Sequence, residues 1–146
     1  MIVIAKVKWD MPTDFLNRIS ALGSKTDEIV PRVLAAGGAV MLARVRSNLQ
    51  AVIGRRTKYK SRSTGELVSA LGVSGARLDR DGNYNVKLGF AEPRRDGESN
   101  AKIANIIEYG KHGQPAKPFL KPAISASKAE VIQTMVSKLE EEISHI

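Results

Sequence analysis

The sequence predicts one α+β domain over residues 1–146, with an N-terminal strand and helices, a small antiparallel sheet, and a long C-terminal helix packed on that sheet. Three patterns predict this class. Apolar residues recur every three or four positions in residues 26–53 and again after Phe119, as on one face of a helix. Residues 83–90 alternate strictly, as in a half-buried strand. The turn-forming segment Asp79–Asn83 stands before them, as in a hairpin.

The first 25 residues predict a strand followed by a short helix. Residues 2–9 have a period of two and are rich in β-branched side chains, which favours a strand. We keep open that residues 1–12 form an arm whose strand pairs with the sheet edge of a neighbouring copy. Thr13 is placed to cap a short helix that runs to about Leu22.

The longest helical pattern begins at Thr26, where a capping hydroxyl precedes two carboxylates that favour the positive end of the helix dipole. It ends at Gly54. Pro31 crowds the preceding turn, so the helix either kinks there or starts later. Residues 35–43 are rich in Ala and Gly, which lets another element approach the backbone closely. We expect that element to belong to the same chain, with a contact between subunits as the alternative.

The second half of the chain predicts a hairpin, a short element and the last helix. Asp81-Gly82 supplies the positive φ that a tight hairpin turn requires. Residues 101–109 predict a short helix that ends on Gly110, although the apolar run is too short to exclude a strand. A loop over residues 111–118 precedes the last helix. The three acids near its end stand at the negative end of the helix dipole, so we expect that end to fray or to meet a basic partner.

The composition excludes several function classes. The chain has no cysteine, which rules out disulfides, thiolate zinc sites and cysteine nucleophiles. Its two histidines, His112 and His145, are too few for a histidine-rich metal centre. No apolar run has the length of a transmembrane helix, and the N-terminus lacks the pattern of a secretory signal. His112 has no positioned partner, and no serine stands in a Gly-x-Ser-x-Gly motif. We therefore expect no enzyme, no cofactor and no metal site.

The positive charge is concentrated in the first half of the chain. The formal net charge is +8, and residues 1–80 carry all of this excess. The densest part is the segment 54–63, which we expect to be a flexible exposed loop. Its candidate partner-binding residues are Arg55, Arg56, Lys58, Tyr59, Lys60 and Arg62. Three interpretations stay open: a solvated loop, contact with a protein partner, or nucleic-acid binding with Tyr59 stacked on a base.

Three blocks of sequence resemble a family of bacteriophage proteins. They are Thr64-Gly65-Glu66-Leu67, Val86-Lys87-Leu88-Gly89-Phe90, and Ile106-Ile107-Glu108-Tyr109-Gly110 followed by Gln114-Pro115-Ala116-Lys117-Pro118-Phe119-Leu120-Lys121-Pro122-Ala123. Their order and spacing resemble the tail-component family of long-tailed phages named for gene product ten of phage HK97. The resemblance covers roughly residues 26–145. Lys111 departs from the pattern, because family members often have Thr there, and residues 2–9 have no counterpart.

The last block is interpreted as a scaffold for the C-terminal helix rather than as a ligand site. Gly110, Pro115 and Pro118 are expected to shape a loop. Phe119 and Leu120 are expected to pack against the sheet, and Pro122 fits the first turn of the helix. These scaffold residues are Glu108, Tyr109, Gly110, Pro115, Pro118, Phe119, Leu120 and Pro122.

The resemblance implies a structural virion protein of the head–tail neck or the upper end of the tail, which completes the tail and joins it to the head. It implies a homo-oligomeric ring of six-fold symmetry and contacts with the connector, the tail terminator and the tail tube. Packaged DNA is a further possible contact, and no membrane is involved. The implied location is the virion, after assembly in the host cytoplasm.

A ring requires two different patches on each subunit. We hypothesise that the segment 54–63 contacts an acidic patch on a neighbour or on another neck protein. Glu140, Glu141 and Glu142 are the candidate acidic interface. The alternative function is a small basic nucleic-acid-binding protein, whose affinity would fall steeply with salt. A phage-borne nuclease or hydrolase is disfavoured, because the sequence offers no nucleophile, base or metal cluster.

Overall fold

The computed structural model describes residues 2–5, 9–53, 66–92, 97 and 99–146. Its helices are α1 (Thr13–Ser20), α2 (Thr26–Val52), α3 (Glu66–Ala70), α4 (Asn100–Tyr109) and α5 (Leu120–Ser144). Its strands are β1 (Ile2–Ala5), β2 (Leu71–Val73), β3 (Arg77–Leu78), β4 (Tyr84–Asn85) and β5 (Leu88–Phe90). The predicted α+β class is confirmed, and the element over residues 101–109 is a helix.

The strands form two small antiparallel units. A three-stranded sheet has the order β1-β5-β2, and β3 pairs with β4 in a two-stranded ribbon. The predicted hairpin is confirmed, but each of its two arms is split into two short strands. The split occurs where the Lys87 N–H donates to the Ser74 hydroxyl at 2.8 Å and the Ser74 N–H donates to the Lys87 carbonyl at 2.8 Å. Because a side chain takes the place of a backbone acceptor there, the regular ladder is interrupted.

The central strand β5 has partners on both sides. Within the chain, β1 pairs with β5, with Ile2 opposite Phe90 and an irregular register before Ala5. The strand of the predicted arm is therefore engaged by its own chain. Leu88, Gly89 and Phe90 are all buried. The strict alternation predicted for residues 83–90 is thus wrong in β5, because both faces of this strand are covered.

The two long helices, α2 and α5, lie along each other. Helix α2 runs without a break from Thr26 and holds Pro31 inside it. A Cβ built on Gly37 would lie 2.7 Å from Cγ of Met135 and 3.3 Å from Cγ1 of Val131, both on α5. The expectation that the small residues of α2 serve close packing within the chain is therefore confirmed at Gly37.

The predicted caps at the first two helices are wrong in detail. Pro12, not Thr13, is the N-cap of α1, and its carbonyl accepts from the Leu16 N–H at 3.1 Å. The Thr26 hydroxyl donates to the Gly23 carbonyl at 2.8 Å instead of accepting from the first amides of α2. A hydroxyl can donate as well as accept, and the 3-10 turn Gly23–Lys25 offers an acceptor one turn earlier.

The apolar core has two parts, one towards each end of the α2–α5 pair. The sheet cluster joins the second half of α2 and the start of α5 to the sheet and α4, through Val45, Leu49, Leu67, Leu71, Leu88, Phe90, Ala104, Phe119, Leu120 and Ala123. The α1 cluster is smaller and joins α1 to the start of α2 and the end of α5, through Phe15, Ile29, Val33 and Leu139.

Candidate functional site

Glu108 connects α4 to the start of α5. Its side chain is buried, with 4% exposure. Oε2 accepts from the backbone N–H groups of Phe119 and Leu120, both at 2.8 Å, and Oε1 accepts from that of Lys121 at 3.0 Å. The first amides of a helix have no partner inside the helix, and they form its positive end. A carboxylate of α4 therefore caps α5. This contact is consistent with the interpretation of residues 106–123 as a scaffold that fixes the C-terminal helix.

Gly110 turns the chain away from α4 at a point where the backbone is crowded. Its φ is +77°, and a Cβ there would lie 2.8 Å from the nitrogen of Ala116 and 2.9 Å from the oxygen of Gln114. The chain then closes a tight turn, since Lys111 and Gln114 exchange backbone hydrogen bonds of 3.0 and 2.9 Å. The Lys117 N–H returns to the Ile107 carbonyl at 2.7 Å. This loop is thus fixed to α4 at both ends.

The remaining residues of the block divide between core and surface. Phe119 and Leu120 are buried in the sheet cluster, and Pro122 lies in the first turn of α5. Pro115 and Pro118 lie in the exposed loop. Tyr109 is 59% exposed, and Nζ of Lys121 lies 5.1 Å from the centroid of its ring, which is a cation–π arrangement.

A second, partly buried network, around Glu92, was not predicted from the sequence. Its carboxylate accepts from the N–H of Asn100 at 3.0 Å, from the N–H of Ala101 at 2.7 Å and from the Ser99 hydroxyl at 3.1 Å. The Asn100 side chain donates in turn to the Ala91 carbonyl at 2.8 Å. Ser99 before an apolar run is a recognisable N-cap signal. No local pattern points to the carboxylate of Glu92.

The three acids near the end of α5 pair with basic side chains of the same chain. Glu140 lies 3.0 Å from Arg18, and Glu142 lies 2.9 Å from Arg32. Lys138 lies 3.3 Å from both Glu141 and Glu142. The helix continues to Ser144, so the expected fraying is not seen, and the basic partners are intramolecular.

Four titratable groups at this end of the molecule have shifted pKa values: hydrogen bonds to carboxylates raise the pKa of Arg32, Lys138 and Tyr84, and the pKa of Glu142 is lowered. The hydrogen bond from Arg32 lowers the pKa of Glu142, against an opposing contribution from desolvation, and the hydrogen bond from Lys138 adds to the lowering. The Tyr84 hydroxyl donates to the Asp27 carboxylate, which ties β4 to the start of α2. That hydrogen bond raises the pKa of Tyr84, and desolvation adds to it. Both contacts hold surface elements together, and neither belongs to a cluster that resembles an active site.

The structure does not test the predicted basic loop. Residues 54–65 lie outside the described part of the chain, and with them Arg55, Arg56, Lys58, Tyr59, Lys60 and Arg62. Residues 6–8 lie outside it as well. Within the described ranges, no group of three or more His, Asp or Glu side chains is arranged to hold a metal ion. None of the described helices combines the length and the apolar character needed to cross a membrane.

Cavities open at three places on the described surface. The first, of about 430 Å³, is lined by Ala39, Arg44, Ser47 and Glu130 among others. One of about 300 Å³ lies beside the Glu108 cap and is lined by Lys102, Asn105 and Tyr109 among others. Two adjoining ones lie between α1, α2, α5 and the β3–β4 ribbon, with volumes of about 310 and 580 Å³. Their walls are mostly apolar, so they are suited to protein contact rather than to polar chemistry.

The fold and these surfaces define a small structural module, in which a pair of long helices carries a three-stranded sheet and a fixed surface loop. A protein-family model described as "Bacteriophage HK97-gp10, putative tail-component" matches residues 13–110. Because the match covers well over half of the chain, the protein belongs to this family of phage tail components. No curated protein and no solved structure matches the chain.

The matched segment and the resembling blocks overlap only in part. The match contains α1 to α4, the strands β2 to β5, and the Glu108-Tyr109-Gly110 sequence. It ends before the loop and α5, to which the second part of the last block belongs. Glu108 joins the two regions physically, because it lies inside the match and caps a helix outside it.

Proposed function

We propose that this protein is a structural component of the head–tail neck or the upper end of the tail, where it completes the tail and joins it to the head. The observation that carries the proposal is membership of the phage tail-component family over residues 13–110. The protein acts in the assembled virion as a homo-oligomeric ring, which contacts the connector, the tail terminator and the tail tube.

The geometry around α5 supports an assembly role. The Glu108 cap, the Gly110 turn and the Lys111–Gln114 backbone pair fix a loop whose residues 111–116 are exposed. A surface that is ordered before binding loses less conformational entropy when a partner docks. The cations of the segment 54–63 remain proposed contacts to an acidic patch on a neighbouring virion protein, or to the packaged DNA. Glu140, Glu141 and Glu142 are weaker candidates for that patch, because each is already paired within the chain.

A stop codon introduced early in the gene tests this function in the phage. Electron microscopy of the lysate should show filled heads and separate, complete tails, and supply of the protein in trans should restore joined particles. Mass spectrometry of gradient-purified wild-type particles should find the chain at a few copies per particle. Joined, infectious particles without the protein would contradict the proposal. Missing or shortened tails would instead indicate a role in tail growth.

One observation favours the alternative of a small nucleic-acid-binding protein: the net charge of +8, all of it in the first 80 residues. Binding to phosphates releases counterions, so the affinity for duplex DNA would fall by orders of magnitude between low and moderate salt. A chain that stays in the soluble fraction and binds DNA in this way would fit the alternative.

A further inference from the structure

An open apolar groove lies between α1 and the β3–β4 ribbon. The two adjoining cavities share Met11, Leu34, Tyr84 and Met135. Leu16 of α1 and Leu78 of β3 line the same space, with 49% and 57% of their surface exposed. Exposed leucines at the edges of an apolar groove mark a surface that a partner covers. We call this surface the α1–ribbon groove.

A cationic projection lies at the other end of α5. Between residues 100 and 121 the bases are Lys102, Lys111, Lys117 and Lys121, and the only acid is Glu108, whose carboxylate is buried against α5. The exposed Tyr109 ring and the closed turn from Lys111 to Gln114 form its tip, with His112 in the turn. We call this surface the 109–121 projection.

The two surfaces have opposite charge and lie far apart. Residues 9–32 and 138–146, around the α1 cluster, carry seven carboxylates against four Lys or Arg, and the ribbon side adds Arg77, Arg80 and Lys87 against Asp79 and Asp81. Among its described residues this end therefore has two more carboxylates than Lys or Arg, whereas the projection is net positive. Lys121 and Met135 are separated by fourteen residues of α5, which at 1.5 Å per residue is about 20 Å.

We propose that the 109–121 projection of one copy docks in the α1–ribbon groove of a second copy. Tyr109 supplies the apolar ring for the groove, and the lysines around it are attracted by the excess of carboxylates among the described residues at that end. Charge complementarity of this kind selects the partner and its orientation. Because the two patches differ and lie apart on the surface of one copy, the contact is heterologous and can close into a ring. This inference rests on the proposed function, and it names the surfaces by which the ring forms.

Cross-linking in assembled particles tests this contact directly. The chain has no cysteine, so introduced cysteines are its only thiols. A chain carrying both His112→Cys and Leu78→Cys, at two exposed positions, is assembled into particles and treated with a short bis-maleimide. Neighbouring copies should join into a covalent ladder that extends to the complete ring. Each single variant should give no such ladder. A matched chain carrying His112→Cys with Ser47→Cys, on the exposed side of α2, should stay monomeric.

The outcomes of this experiment distinguish failure of the docking proposal from failure of the proposed function. If the doubly substituted chain is present in joined particles but remains monomeric, or if the thiol introduced by Leu78→Cys links to a different virion protein, the docking proposal is overturned and the proposed function stands. If wild-type chain is absent from joined particles, both are overturned. As a second measurement, Lys111→Glu with Lys121→Glu should lower the copies per particle about tenfold or more, while Lys128→Glu leaves them unchanged. Wild-type copy number in the Lys111→Glu, Lys121→Glu particles would also overturn the docking proposal.

Discussion

The two ends of the α2–α5 pair are held by different kinds of polar contact. At the start of α5, the buried Glu108 carboxylate accepts three backbone N–H bonds beside the sheet cluster. At the end of α5, Glu140, Glu141 and Glu142 form ion pairs around the small α1 cluster, and most of the partners are partly exposed. The same residue type thus acts as a buried cap at one end and as a surface ion-pair partner at the other.

This difference predicts where α5 is fixed most firmly. Hydrogen bonds to a buried charged acceptor are among the stronger ones, and removal of the acceptor leaves buried donors without a partner. Exposed ion pairs contribute little, because water and salt screen them and because ordering two long side chains costs entropy. We infer that the start of α5 and the loop before it are anchored, whereas the α1 end relies on Phe15, Leu139 and their apolar neighbours.

The largest effect should follow removal of the cap. Glu108→Ala leaves the amides of Phe119, Leu120 and Lys121 without their acceptor, so we expect a loss of about 3 kcal/mol in the free energy of unfolding. Glu130→Ala, at an exposed position of the capped helix α5, is the control and should change the free energy of unfolding by less than about 0.5 kcal/mol. Urea unfolding followed by circular dichroism measures both. A Glu108→Ala variant as stable as the control would show that the cap does not anchor α5.

Two glycines of the anchored loop differ in how much a side chain would cost. Gly110 and Gly113 have nearly the same φ, +77° and +79°, but only at Gly110 would a Cβ meet other atoms within 4 Å. Gly113→Ala should therefore cost about 1 kcal/mol for the left-handed conformation alone. Gly110→Ala should cost at least about 2 kcal/mol, because its ψ of 178° at positive φ suits only glycine and because backbone atoms of Gln114 and Ala116 must move as well. Equal losses in urea unfolding would contradict the crowding argument.

The sequence predicts those features of the fold that are encoded by local periodicity. The long helices, the hairpin and the Gly110 turn follow from spacing, from Asp81-Gly82 and from the glycine itself. The family is also predictable, because the Glu108-Tyr109-Gly110 block is distinctive. The burial of all three residues of β5 is not predictable in this way, because a period of two cannot show that both faces of the strand are covered.

The polar contacts that fix the site are non-local, which explains why the sequence reveals them less well. Glu108 stands in the recognised block, but nothing in its neighbourhood shows that its carboxylate reaches amides eleven to thirteen residues away. Glu92 likewise reaches the amides of Asn100 and Ala101, eight and nine residues later, and no local pattern predicts that contact. The acids at the end of α5 look unfavourable against the helix dipole alone, and their partners Arg18 and Arg32 come from more than a hundred residues earlier.

The smallest effect is expected at the ion-paired end, where it should appear as a dependence on pH. The pKa of Glu142 is lowered below its ordinary value near 4.5, chiefly by the hydrogen bond from Arg32. Its contribution to stability is therefore present above about pH 4.5 and is lost as the pH falls through the lowered pKa. The urea concentration at the unfolding midpoint is measured at about pH 6 and at about pH 3.5. Glu142→Gln and Arg32→Gln should each reduce the difference between these two midpoints, whereas Lys128→Gln, also on α5, should preserve it. If both variants kept the full difference, the Arg32–Glu142 contact would carry no part of the acid sensitivity of the α1 end.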